Sequence, residues 1–193
     1  MTLPNFITIG RLFLVPVIVW LLYQSLYPAA FFVFVLAGIS DAVDGFLAKQ
    51  FDLSSELGAY LDPIADKALL VTIYVVLGIF EHLPSWIVII VVSRDVAIVG
   101  AVILSWLMDR PVKMEPNMVS KANTVMQILL VIALLAALAF SSINPVMVIA
   151  GASITAALTL ASLAVYLRDW LHHMANGGSI DRAAGPADEG QKQ

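Results

Sequence analysis

Four aspartates sit beside long apolar runs in "SDAVDGFLAKQFDLSSELGAYLDPIADK", residues 40–67. Asp41 and Asp44 are three apart and Asp62 and Asp66 are four apart, so on helices each pair shares one face. Gly45 and Ala48 extend the first face and Gly58 the second; such small residues let a backbone or a ligand approach closely. Carboxylates crowded in a low-dielectric site repel, so some are protonated or cations sit among them. Carboxylate-only ligands suit hard divalent cations such as Mg²⁺, Mn²⁺ or Ca²⁺. Two such ions favour displacement at phosphorus, because they clamp phosphate oxygens and stabilise charge on the attacking and leaving atoms. A carboxylate left partly free of metal can take a proton from an attacking hydroxyl. The alternative for a single intramembrane aspartate is a plain ion pair, with Lys49 and Lys67 as available partners.

The elements that position these acids are membrane helices. Of the 193 residues, 61% are hydrophobic and 12% charged, and the mean hydropathy is +0.93, outside the range of soluble domains. Apolar runs near 6–26, 29–50, 59–80, 84–107, 121–140 and 145–168 predict an all-α integral membrane protein with six transmembrane helices. Residues 1–176 form the membrane domain on this reading. Residues 177–193, "GGSIDRAAGPADEGQKQ", are polar and Gly-rich and read as a disordered tail. Ser120 is a candidate cap for the fifth helix, and Pro84 and Pro145 fit first turns. There is no cysteine, which excludes disulfides and thiolate metal sites.

The breaks after spans one, three and five carry no Lys or Arg, whereas Lys49, Arg110, Lys113, Lys121 and Arg168 gather at the other ends. The positive-inside rule then places both termini and all four aspartates on the cytoplasmic side. The second and third spans are expected to be antiparallel neighbours, with the acids within roughly 13 Å of their cytoplasmic ends. Trp20, Trp86, Trp106 and Trp170 fall near span ends, as an aromatic belt would. His82, His172 and His173 read as interface residues, since none shares a helix face with the acids. The first span lacks a basic n-region and carries Arg11 within it, unlike a signal peptide.

The acidic stretch resembles the signature of the CDP-alcohol phosphatidyltransferases, D-x2-D-G-x2-A-R-x8-G-x3-D-x3-D. Asp41, Asp44, Gly45, Ala48, Lys49, Gly58, Asp62 and Asp66 keep every spacing. The one departure is Lys49, where the family has Arg; lysine keeps the charge and loses the planar two-pronged donor. The opening "LPNFITIGRLFLVPV" is similar to the Pro-Asn-x2-Thr-x2-Arg start of one bacterial and mitochondrial branch, here Pro4, Asn5, Thr8 and Arg11. "GAYLDPIADK" is the form typical of phosphatidylglycerophosphate synthases and CMP-forming cardiolipin synthases, and "VSRDVAIVGAVIL" and "MVSKANTVMQILLV" look closer to the latter. The similarity covers about residues 3–135.

The resemblance implies six membrane helices, often as a homodimer, and a lipid-synthesising reaction. A CDP-diacylglycerol donates its phosphatidyl group to an alcohol and CMP leaves. It implies two divalent cations on Asp41, Asp44, Asp62 and Asp66, with Asp66 as general base. Asn5, Thr8, Gly45, Ala48, Lys49 and Gly58 would line the CDP-lipid pocket. Lys67, Arg94 and Lys121 are candidates for the acceptor's phosphate. Their local alternatives are an Arg94–Asp95 ion pair and, for Lys121, a positive-inside anchor. Phosphatidylglycerol and glycerol 3-phosphate are both anionic, so a basic pocket does not separate cardiolipin synthesis from phosphatidylglycerophosphate synthesis. No nucleic-acid partner is expected, and the expected location is a bacterial inner membrane. A divalent-cation transporter is a more distant reading of four intramembrane aspartates, separable by cation flux without nucleotide.

Overall fold

The computed structural model describes the backbone of residues 3–51, 56–107 and 118–175, and the side chains of residues 10, 13–40, 67–101, 103–105, 107, 118–172 and 174. The polar tail expected over 177–193 lies outside the described residues. The described residues form six helices and no strand: α1 Leu3–Tyr23, α2 Tyr27–Phe51, α3 Glu56–Ile79, α4 Ser85–Leu107, α5 Met118–Ala139 and α6 Pro145–Ala175. Each matches an expected apolar run to within a few residues at its start. The exception at the far end is α6, whose 31 residues continue past the run expected to stop near 168.

By length and composition, Ser85–Ser105, Met118–Ala139 and Pro145–His172 are candidate membrane spans. In α1, α2 and α3 the described apolar stretches are shorter, at Phe13–Tyr23, Tyr27–Ser40 and Lys67–Ile79. The outward surface is apolar where a soluble protein's would be polar, with Phe13, Phe32, Leu36, Ile89, Val96, Ile103, Met147 and Ile154 all exposed. That is the surface a lipid solvent requires.

The core follows from helical periodicity. Leu70, Ile73 and Leu77 line one face of α3, Ala30, Phe34 and Ala37 one face of α2, and Val131, Leu134, Leu135 and Leu138 one face of α5. With Ile18 and Leu22 of α1, Ile87 and Val91 of α4, and Ala152 and Ala156 of α6 they make a single cluster. Helix α1 packs against α2 and α3, α5 against α2, α3 and α6, and α4 against α3 and α6. Among the described residues α2 and α3 do not pack directly on each other, contrary to the expected side-by-side pairing; α1 and α5 contact both. Adjacency in sequence fixes which helices are joined, whereas side-chain fit decides which ones touch.

Three turns share one construction. After α1, Leu26 N–H donates to the Leu21 carbonyl at 2.9 Å and Ser25 N–H to Leu22 at 3.0 Å. After α3 the pairs are His82 to Leu77 and Glu81 to Gly78, and after α5 Ser142 donates to Ala137. Ser25, Glu81 and Ser141 take the left-handed conformation at φ 58°, 59° and 52°. These are Schellman-type ends built without the usual glycine. Ser120 is not a cap: α5 begins two residues earlier, and its hydroxyl is used elsewhere.

Candidate active site

The aspartates fall on the helices expected of them, Asp41 and Asp44 on α2 and Asp62 and Asp66 on α3. Their side chains lie outside the described residues, as do those of Asn5, Thr8, Gly45, Ala48, Lys49 and Gly58. Among the described residues there is no cluster of three or more metal-ligating side chains. Four carboxylates are hard oxygen donors, a chemistry that fits a divalent cation such as Mg²⁺ or Mn²⁺.

Immediately after Asp66 on α3 comes Lys67, and there the described interior becomes ionic. Lys67 Nζ donates to both oxygens of Asp95 on α4, at 2.8 and 3.0 Å. The same Asp95 Oδ1 accepts from Arg94 at 2.7 Å. Adjacent residues point about 100° apart around a helix, so one turn of α4 serves two directions. Asp95 reaches α3, and Arg94 reaches into the bundle. There the Arg94 guanidinium, 3% exposed, donates to Ser120 of α5 at 2.7 Å and Ser162 of α6 at 2.9 Å. The cluster thereby ties α3, α4, α5 and α6 together.

The anticipated Arg94–Asp95 pair therefore forms, with Lys67 as a third member. Two cations and one carboxylate leave one net positive charge beside the acid-bearing end of α3. A buried charge is tolerable only when paired and hydrogen-bonded, and Asp95 with the two serines supplies both. Lys67 remains 37% exposed at its side chain, so it has room to meet an anion. Lys121 is exposed.

Below Arg94 the polar lining continues. Asn123 and Gln127 of α5 are fully buried, and so are Thr155 and Thr159 of α6 and Tyr74 of α3. The sequence reading assigned no role to Ser162, Gln127, Thr159 or Tyr74. A signal was present: Ser120, Asn123 and Gln127 stand at i, i+3 and i+7, and Thr155, Thr159 and Ser162 at i, i+4 and i+7. Two polar stripes on otherwise apolar helices imply a shared polar seam.

At the other end of the bundle, a cavity of about 370 Å³ opens among Glu81, His82, Pro84, Leu134, Pro145 and Val148. Tyr27 Oη and His82 Nε2 are 3.0 Å apart at this end. Partial burial holds the imidazole below its ordinary value near 6.5, which favours its neutral form. The acids lie on the opposite ends of α2 and α3, so this cavity is separate from the candidate active site.

The fold and interior thus define a class: an all-helical membrane protein with a charged, hydrogen-bonded centre next to an acidic helix segment. The chain belongs to the CDP-alcohol phosphatidyltransferase family, whose model matches residues 1–168. It is 33% identical over 156 residues to a rat cardiolipin synthase (CMP-forming), covering 72% of this chain and 52% of that protein. It is 36% identical over 152 residues to a rice chloroplastic CDP-diacylglycerol–glycerol-3-phosphate 3-phosphatidyltransferase, covering 70% and 46%. A Pseudomonas fluorescens CDP-diacylglycerol–glycerol-3-phosphate 3-phosphatidyltransferase is 31% identical over 191 residues, covering 92% of this chain and 94% of its own length. The chain spans about half the length of the rat and rice relatives.

Proposed function

We infer that the chain transfers a phosphatidyl group from CDP-diacylglycerol to the hydroxyl of phosphatidylglycerol, forming cardiolipin and releasing CMP. The observation that supports this most is the continuity of the acidic signature with the ionic cluster: Asp66 is followed directly by Lys67, which is clasped to Asp95 and, through it, to buried Arg94. Carboxylates for cations beside cations for a phosphate are what transfer from a nucleotide-linked lipid to an anionic alcohol needs, and they serve either acceptor.

Asp41, Asp44, Asp62 and Asp66 hold two divalent cations, Mg²⁺ or Mn²⁺, which when bound neutralise phosphate charge at the reacting centre. Asn5, Thr8, Gly45, Ala48, Lys49 and Gly58 cradle the nucleotide end of the donor. Lys67, Arg94 and Lys121 draw in the phosphate of the acceptor. Asp66 takes the proton as the acceptor's hydroxyl oxygen forms its bond to phosphorus, and the phosphorus–oxygen bond to CMP breaks. The setting is a bacterial inner membrane crossed six times, with termini and site cytoplasmic and the chain paired as a homodimer.

Glycerol 3-phosphate as acceptor, giving phosphatidylglycerophosphate, is the second reading. The near end-to-end similarity to the Pseudomonas protein favours it. An acceptor swap decides. Purified protein with CDP-diacylglycerol and Mg²⁺ or Mn²⁺ is given either alcohol, and CMP and the lipid product are measured. Cardiolipin formation supports the first reading and phosphatidylglycerophosphate the second. If neither alcohol yields CMP, both fail.

A further inference from the structure

The buried amides of α5 lack partners. Gln127 is fully buried, and among the described residues neither its Oε1 nor its Nε2 has a hydrogen-bond partner. Asn123 Nδ2 and Arg94 Nε are likewise unpaired and buried. Orphaned polar atoms inside a membrane bundle cost several kcal/mol each, so a run of them implies a bound polar molecule.

The neighbours define what that molecule is. Thr159 Oγ1 lies 2.7 Å from Asn123 Oδ1 and 2.8 Å from the Thr155 carbonyl. A hydroxyl has one hydrogen and cannot donate to both. With Thr159 donating to Thr155 and the Asn123 amide turned to donate to Thr159, the Asn123 carbonyl becomes the free group, so one amide atom is orphaned in either orientation. Thr155 is occupied with the Gly151 carbonyl at 2.9 Å, and Tyr74 Oη donates to the backbone carbonyl of Gln127 at 3.2 Å. The side chains that the described residues place beside this turn, Tyr74, Asn123, Thr155 and Thr159, are all neutral. Unmet donors and acceptors on one turn require a molecule that is both. Full burial excludes a lipid tail or a neighbouring chain.

We propose that Asn123 and Gln127 hold a cluster of internal water molecules in the seam between α3, α5 and α6, continuous with Arg94. Ser120 and Ser162, which receive Arg94, stand one turn from Asn123 and Thr159, and the seven residues from Ser120 to Gln127 span about 10 Å. Water at the upper end satisfies Arg94 Nε, and water at the lower end satisfies Gln127, each with about three hydrogen bonds in the manner of buried structural water. The cluster fixes the guanidinium from beneath and joins α5 to α6. It stands independently of the transferase reading.

Radiolytic hydroxyl labelling tests it, because radicals form from water in place and mark side chains beside it even when these are buried. The full chain in lipid nanodiscs is irradiated, and Tyr74 is compared with Phe34, which is buried in the apolar core. After correction for intrinsic reactivity, Tyr74 is expected to label several-fold faster. Equal rates overturn the proposal, and this comparison needs no variant. Gln127→Leu, without an amide and without a radical-scavenging sulfur, is expected to bring Tyr74 down toward the Phe34 rate while the protein keeps its elution volume. A folded variant with undiminished Tyr74 labelling also overturns it.

Discussion

Asp95 is the hinge of the interior charge balance. It has two cationic partners, whereas Arg94 has one anionic partner. Removing Lys67 leaves Asp95 and Arg94 paired; removing Asp95 strands a guanidinium that is 3% exposed. Asp95→Asn is therefore expected to cost about 3 kcal/mol, and Lys67→Met clearly less. Thermal unfolding in one detergent compares them, and a Lys67→Met protein less stable than Asp95→Asn would contradict the assignment of Asp95 as the shared counter-ion. Asp66 carries a chemical expectation rather than a structural one. Asp66→Asn is expected to lower CMP release by about 10²–10⁴-fold, the usual worth of a general base, with little change in melting temperature. Intact activity would remove Asp66 from the reaction.

The helices meet at places where a methyl group matters. A Cβ on Gly78 of α3 would lie 2.8 Å from Val88 Cγ2 of α4, and one on Gly151 of α6 would lie 2.9 Å from Leu130 Cδ1 of α5. The distances match but the neighbours do not. Valine is stiff at χ1, whereas the leucine methyl is the far end of a flexible side chain. Gly78→Ala is expected to cost about 1–3 kcal/mol, with Gly151→Ala nearer neutral. Equal losses in melting temperature would show that the α3–α4 hairpin yields as easily as α5–α6. The three left-handed helix ends predict the opposite sign. Ser25→Gly, Glu81→Gly and Ser141→Gly relieve a Cβ clash at φ near 55°, and each is expected to stabilise by about 0.5–1 kcal/mol. A loss at all three would mean that those side chains hold the turns.

At the scale of the whole molecule, orientation is the open physical quantity, and the absence of cysteine makes it measurable. Single cysteines at Ser25, Glu81 and Ser141, all exposed at turns, are expected to react with a membrane-impermeant maleimide from the outer side of intact cells or right-side-out vesicles. A cysteine at Ser179 is expected to react only after the membrane is opened. Reaction of a turn cysteine only from the inside would overturn the proposed six-span arrangement. The long α6 adds a related feature. Its C-terminal end is tied to α4 by Trp170 Nε1 donating to Ser105 Oγ at 2.8 Å, so the turns past residue 168 stay helical against a neighbour.

Hydropathy alone determined the number of the helices and, α6 apart, their approximate limits, because an apolar stretch in lipid has no other way to satisfy its backbone. Spacing alone picked out the acids, because ligand geometry on a helix is written in i, i+3 and i+4. Lys67, Arg94 and Asp95 were legible as charges out of place, but their joining into one cluster was not. The partner of Lys67 lies 28 residues away and those of Arg94 lie 26 and 68 away. Only packing decided that Ser120 would receive a guanidinium instead of capping a helix, and that Asn123 and Gln127 would face inward. Helix-to-helix adjacency depends on how ridges of side chains from distant segments fit together, and no local pattern carries that information.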